Sequence, residues 1–125
     1  MKIDTTLFDT LKQRGLLYQC TDEEELKKRL TSGQPITLYE GTDPTMDSLH
    51  LGHCIPYCIL RRFQKAGHKV LLLMGGATAC IGDPSGKSEM RSIMTKEKIA
   101  ANIEKIKTSL KIFLDFDGEN PAIIV

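Results

Sequence analysis

Leu7, Phe8 and Leu11 fall at helical spacing within residues 5–14, and Gly15 stands where a left-handed residue closes a helix. Thr21-Asp22-Glu23-Glu24 reads as a capping box, with Thr21 as N-cap and Glu24 reaching back. The helix it starts runs to about Leu30, carries Lys27, Lys28 and Arg29 where the macrodipole favours cations, and breaks at Gly33. The period then changes. Residues 35–39 (Pro-Ile-Thr-Leu-Tyr) read as a strand and 40–48 as a polar loop. Helical spacing returns over 51–66, with Ile55, Ile59, Leu60 and Phe63 on one side and Gly67 at the end. Residues 69–74 form a short continuous apolar run, the mark of a strand covered on both faces. A glycine-rich loop follows over 75–92. The clearest helix spans 95–114, with Ile99, Ile103, Ile106, Leu110 and Phe113 in one stripe and lysines opposite. A turn-like stretch at 117–120 leads to a third strand at 122–125.

Two helices followed by β-α-β-α-β predict an α/β fold with a parallel sheet and right-handed crossovers. The expected division is a helical segment over 1–33 and the first half of a Rossmann-like domain over 34–125. Ligands of such sheets bind at the carboxyl ends of the strands. The loops 40–48 and 75–92 are placed there, and both are polar and rich in glycine. The apolar run 121–125 needs further elements to cover it, so the chain is expected to be the first part of a longer polypeptide, with little activity in isolation.

Composition narrows the partners. Seventeen basic and sixteen acidic residues leave a net charge of +1, which removes a chain-wide basic field for nucleic acid. No apolar run approaches the length needed to cross a bilayer, and residues 1–4 carry no secretory h-region, so a cytoplasmic location without membrane contact is expected. Cys20, Cys54, Cys58 and Cys80 form no C-x-x-C pair and read as reduced thiols.

The chemistry gathers in the two loops. His50-Leu51-Gly52-His53 opens the helix after Asp43-Pro44-Thr45. Spacing of three places both imidazoles on the first turn, where exposed N–H groups attract phosphate and histidine can donate to phosphoryl oxygens. Gly52 lets a ligand approach the backbone, and Thr45 adds a hydroxyl donor. The alternatives are histidines that only cap or pack the helix, and a metal site from His50, His53, Cys54 and Cys58, whose spacing matches no common zinc pattern. In the second loop, Gly82-Asp83-Pro84-Ser85-Gly86-Lys87-Ser88 misses the P-loop by one residue, because Ile81 occupies the place of the first glycine. What remains is an acid, Asp83, suited to an ammonium group, and two cations, Lys87 and Arg91, suited to phosphates. The bland alternative is a solvated loop whose glycines serve turns.

Together with Leu38-Tyr39-x-Gly41, Leu60-Arg61-Arg62-Phe63-Gln64-Lys65-Ala66-Gly67-His68 and Gly75-Gly76-Ala77-Thr78, these strings resemble the bacterial and organellar tyrosyl-tRNA synthetases, a class I family. The resemblance implies two steps, in which L-tyrosine and ATP, accompanied by Mg²⁺, form tyrosyl-adenylate and the acyl group passes to tRNA(Tyr). It implies that Tyr39 lies deep in a tyrosine pocket shared with Asp43, Thr78 and Asp83. Gly41, Asp43, Pro44, Thr45, His50, Gly52 and His53 then form the ATP site, and Thr45, His50, His53, Lys87 and Arg91 act on the departing phosphates. No protein-bound metal is implied. A homodimer and tRNA contacts are implied for regions outside this chain. Two positions depart from the family's pattern: Thr42 replaces the usual Phe, and Glu40 stands at a variable position near the ribose. Two other readings compete with this one: a different His-x-Gly-His nucleotidyltransferase, and a binding or regulatory module derived from a synthetase.

Overall fold

The computed structural model describes residues 2–44, 48–75 and 95–125. Helices α1 (Leu7–Gln13) and α2 (Glu23–Thr31) precede β1 (Thr37–Thr42), α3 (Leu51–Lys65) and β2 (Lys69–Met74). Helix α4 (Lys96–Leu110) and the short β3 (Ile123–Ile124) follow.

Local sequence explains the ends of these elements. The N–H groups of Gly15 and Leu16 return to the carbonyls of Lys12 and Leu11 at 3.0 and 2.9 Å. Gly67 and His68 repeat the pattern on Gln64 and Phe63, both at 3.0 Å. Each is a Schellman closure, and each needs its glycine at positive φ, +65° and +95°. Thr95 caps α4 by accepting from the N–H of Lys98 at 3.3 Å. Helix α2 starts one residue later than expected. Asp22, in extended backbone, accepts from the N–H of Glu25 at 2.9 Å, so the cap is Asp22 and not Thr21. A carboxylate one residue nearer the helix outcompetes the hydroxyl as the cap.

The sheet is parallel, in the order β1-β2-β3. Register runs from Thr37 opposite Lys69 to Thr42 opposite Met74. Strand β1 therefore begins after Pro35, which lacks a donor for the ladder, and reaches three residues beyond Tyr39 into the expected loop. Helix α4 ends at Leu110 and not Leu114, with Lys111 as its C-cap.

Val70, Leu72 and Met74 point into a core with Tyr57, Leu60 and Phe63 of α3 and Ile106 and Leu110 of α4. The N-terminal helices join the same core through Leu7, Phe8, Leu11 and Leu30. Among the described residues, the other face is open. Tyr39, Leu73, Ile123 and Val125 are 71, 44, 48 and 57% exposed. Strand β2 is thus covered on one face and not on both, because the buried faces of the two crossover helices meet the same set of alternate strand residues. On α3 the expected stripe is rotated: Ile55 is 65% exposed, and Tyr57 and Gln64 are buried instead.

Three buried polar side chains fasten the elements. The Gln64 amide donates to the carbonyls of Asp115 (2.6 Å) and Asn120 (2.9 Å) and accepts from the N–H of Asp115 (3.0 Å). Asn102 of α4 donates to the Pro44 carbonyl at 2.9 Å. His68 is wholly buried, and its Nδ1 accepts from the N–H of Ile36 at 3.3 Å.

Candidate active site

Strands β1 and β2 end side by side, with the N–H of Gly75 donating to the Thr42 carbonyl at 3.0 Å. The segments that begin at Asp43 and Gly75 therefore leave the sheet together at its carboxyl edge, where parallel sheets bind ligands. The first of them returns to enter α3 through His50.

The two histidines build that helix start. His50 is the N-cap, in extended backbone, and its Nδ1 accepts from the N–H of Gly52 at 3.1 Å. His53 reaches back, and its Nδ1 accepts from the N–H of His50 at 3.2 Å. This is the reciprocal logic of a capping box, carried by imidazoles in place of hydroxyl and carboxylate. The ring centroids lie 3.9 Å apart at 47°. A ring nitrogen that accepts an N–H carries no proton, so the neutral rings hold theirs on Nε2. The reading of these histidines as caps and their reading as donors are therefore compatible, since the cap consumes Nδ1 and leaves Nε2–H as the donor. Gly52 serves this arrangement directly. A Cβ there would stand 2.9 Å from Cε1 and 3.0 Å from Nδ1 of His50, so what lies over the glycine in this structure is the imidazole.

The other expected residues divide by position. Asp43 is exposed at the end of β1, and Pro44 is buried with its carbonyl held by Asn102. Gly41 lies in β1 opposite Leu73. Tyr39 does not lie deep in a pocket here. Strand alternation puts it on the open face with Leu73, and it is 71% exposed. Thr45, Thr78, Asp83, Lys87 and Arg91 lie outside the described residues. Among the described residues, no three His, Cys, Asp or Glu side chains gather as a metal-binding set. No described helix is long and apolar enough to cross a membrane.

Sequence reasoning passed over Tyr57, which is wholly buried on α3 one turn beyond His53. Its hydroxyl lies 2.6 Å from Oγ1 of Thr42, and that oxygen donates to the Glu40 carboxylate at 3.0 and 3.2 Å. Burial pushes the Tyr57 phenol above its ordinary value. Asn102 was also missed. Its place among Ile99, Ile103 and Ile106 was the available signal, a polar residue set within an apolar stripe.

The sequence profile of the tRNA synthetases class I (W and Y) matches residues 31–124. A tyrosine–tRNA ligase of Streptococcus mutans is 51% identical over 121 residues, covering 96% of this chain and 29% of the relative. One from Desulfitobacterium hafniense is 55% identical over 119 residues, covering 94% of this chain and 28% of the relative. The chain thus spans under a third of the length of the curated relatives it matches. Among solved structures, a C-terminally truncated mitochondrial tyrosyl-tRNA synthetase of Coccidioides posadasii superposes with a TM-score of 0.71. It is 30% identical, and the match covers 94% of this chain and 34% of that one. Its counterpart from Aspergillus nidulans gives 0.70 at 32% identity, over 84% of this chain and 29% of that one.

Proposed function

The chain belongs to the class I tRNA synthetases of the W and Y family, and from that premise we propose that it forms part of the tyrosine-activating site of a tyrosine–tRNA ligase. The observation that carries this reading is the imidazole capping box at the start of α3. It sits at the carboxyl edge of the sheet and keeps two Nε2–H donors at a helix N-terminus.

In this reading the carboxylate of L-tyrosine attacks the α-phosphate of ATP in line, and pyrophosphate leaves. The step needs positioning and charge stabilisation more than covalent help. His50 and His53 donate to phosphoryl oxygens as charge grows on them. The dipole of α3 adds to that field. Thr45, Lys87 and Arg91 meet the departing pyrophosphate, which enters as the Mg²⁺ complex of ATP. Asp83 and Thr78 hold the ammonium group of tyrosine, and Asp43 stands where amino acid and nucleotide meet. Tyr39 offers its hydroxyl from the open face, which becomes a pocket wall once further chain covers it. Gly41 and Pro44 border the nucleotide. Transfer to tRNA(Tyr), the second subunit of a homodimer and a cytoplasmic location complete the proposal.

The test is ATP–pyrophosphate exchange with tyrosine, phenylalanine or tryptophan, using this chain and the longest product of its reading frame. Exchange driven by tyrosine alone is expected from the long product. Exchange in neither form overturns the ligase reading and favours a synthetase-derived binding module.

A further inference from the structure

His50 ends the connection between β1 and α3, and His53 stands in the first turn of α3, so whatever fixes α3 against the end of β1 fixes the imidazoles. Thr42 is the last residue of β1, and Tyr57 stands on α3 one turn after His53. Their hydroxyl oxygens, 2.6 Å apart and buried, join the end of β1 to the second turn of α3 across fifteen residues of sequence. The direction of the bond follows from counting protons. Thr42 has one, and it goes to the Glu40 carboxylate at 3.0 and 3.2 Å. The Tyr57 hydroxyl must then donate to Thr42, giving an ordered chain from Tyr57 through Thr42 to Glu40. A buried phenol has a strong preference for the helix position that keeps its partner. The segment has a second fastening near its start, where Asn102 holds the Pro44 carbonyl at 2.9 Å.

We infer that Tyr57 and Thr42 are positioning residues of the site, and that their hydroxyl pair sets the placement of the His50–His53 imidazoles at the carboxyl edge of the sheet. The inference rests on the proposed function only in what the imidazoles then do. Glu40 and Thr42, the two departures from the family's pattern, become parts of one device, because a threonine at position 42 supplies the acceptor that a buried tyrosine at 57 requires. Neither residue touches substrate in this account. They act through the histidines.

The test compares the wild-type chain with Tyr57→Phe and with the double variant Thr42→Val/Tyr57→Phe. The double variant removes both hydroxyls and so leaves neither of the pair unsatisfied, and its stability is expected to fall only by the loss of the Thr42 donor to the half-buried Glu40 carboxylate. The first readout needs no activity: two-bond ¹H–¹⁵N imidazole spectra of the 125-residue chain. The wild type is expected to show both rings protonated at Nε2 with Nδ1 accepting. The folded double variant is expected to lose that pattern, with mixed tautomers at His50 and His53, whereas Thr42→Ser, which retains the hydroxyl, keeps it. Unchanged imidazole spectra in a folded double variant overturn the inference. The second readout is pyrophosphate exchange by the longest product of the reading frame. A fall of about tenfold in kcat, with KM for ATP and tyrosine moved less than about twofold, is expected from a slight misplacement of the donors. Wild-type kcat in a folded double variant also overturns the inference. Absence of exchange in the wild type would sink the ligase reading alone and leave the imidazole spectra to judge this one.

Discussion

A methyl group at Gly52 would meet the His50 ring at 2.9 Å, so Gly52→Ala has to displace either the ring or the helix start. Alanine in a helix gains roughly 0.5–1 kcal/mol over glycine, and a lost cap costs about 1 kcal/mol. The two nearly cancel. The expected result is a melting temperature within a few degrees of wild type together with a clear loss of pyrophosphate exchange in the long product; an active Gly52→Ala would show that the cap geometry is dispensable. His68 makes a different prediction. Burial lowers its pKa from the ordinary histidine value, against a smaller opposing effect of Asp4. Its Nδ1 is taken by the N–H of Ile36, so a second proton would break that bond. The unfolded chain therefore binds a proton at a pH where the folded chain does not, and stability falls as pH drops below about 6.5. The shift on Asp4 is also downward, and its loss of stability falls in the carboxylate range, well below that window. Denaturant melts between pH 8 and 5 should show the decline, and His68→Gln should flatten it. The histidine pair at 50 and 53 was legible in sequence because a spacing of three is a local pattern. The partners of Tyr57 and Asn102 are 15 and 58 residues away, and no local pattern reports them.

Among the elements, α3 is the one on which the others are hung. Its start holds the imidazoles, its middle holds Thr42 through Tyr57, and its last turns hold the connection between α4 and β3 through Gln64. Gln64→Leu keeps the volume but strands the Asn120 carbonyl and the Asp115 N–H, each at about 1–3 kcal/mol, while the Asp115 carbonyl keeps the Ala122 N–H, so a loss above about 2 kcal/mol in urea is expected. Asn102→Leu strands only the Pro44 carbonyl and should cost about 1–3 kcal/mol. Equal losses in the two variants would contradict this ordering. Helix and strand periodicity placed α1, α3, α4 and the three strands in order, because those patterns are carried by every residue of an element. The ends moved where tertiary partners outweighed the local signal. Strand β1 lengthened to match β2, and the buried face of α3 turned to admit Tyr57 and Gln64, two polar-tipped side chains that an apolar count leaves out.

At the scale of the whole molecule, the parallel order and the position of the site at the carboxyl edge follow from alternation of strands and helices alone, whereas the open face does not. A continuous apolar strand such as β2 announces that both faces are to be covered, but the described residues cover one. An exposed apolar sheet face favours self-association. Leu73→Lys and Val125→Lys should therefore lower light scattering at high concentration without lowering the melting temperature, since both side chains are already half exposed. Scattering unchanged by both would place the association elsewhere. The burial of Tyr57 has a practical corollary for this chain. It has no tryptophan and three tyrosines, of which Tyr18 and Tyr39 are 97 and 71% exposed and Tyr57 is fully enclosed. The ultraviolet difference spectrum on unfolding, and the tyrosine doublet in Raman scattering, thus draw chiefly on a single phenol at the neck of the histidine segment. The protein carries its own optical gauge of that hydrogen bond, readable without any label.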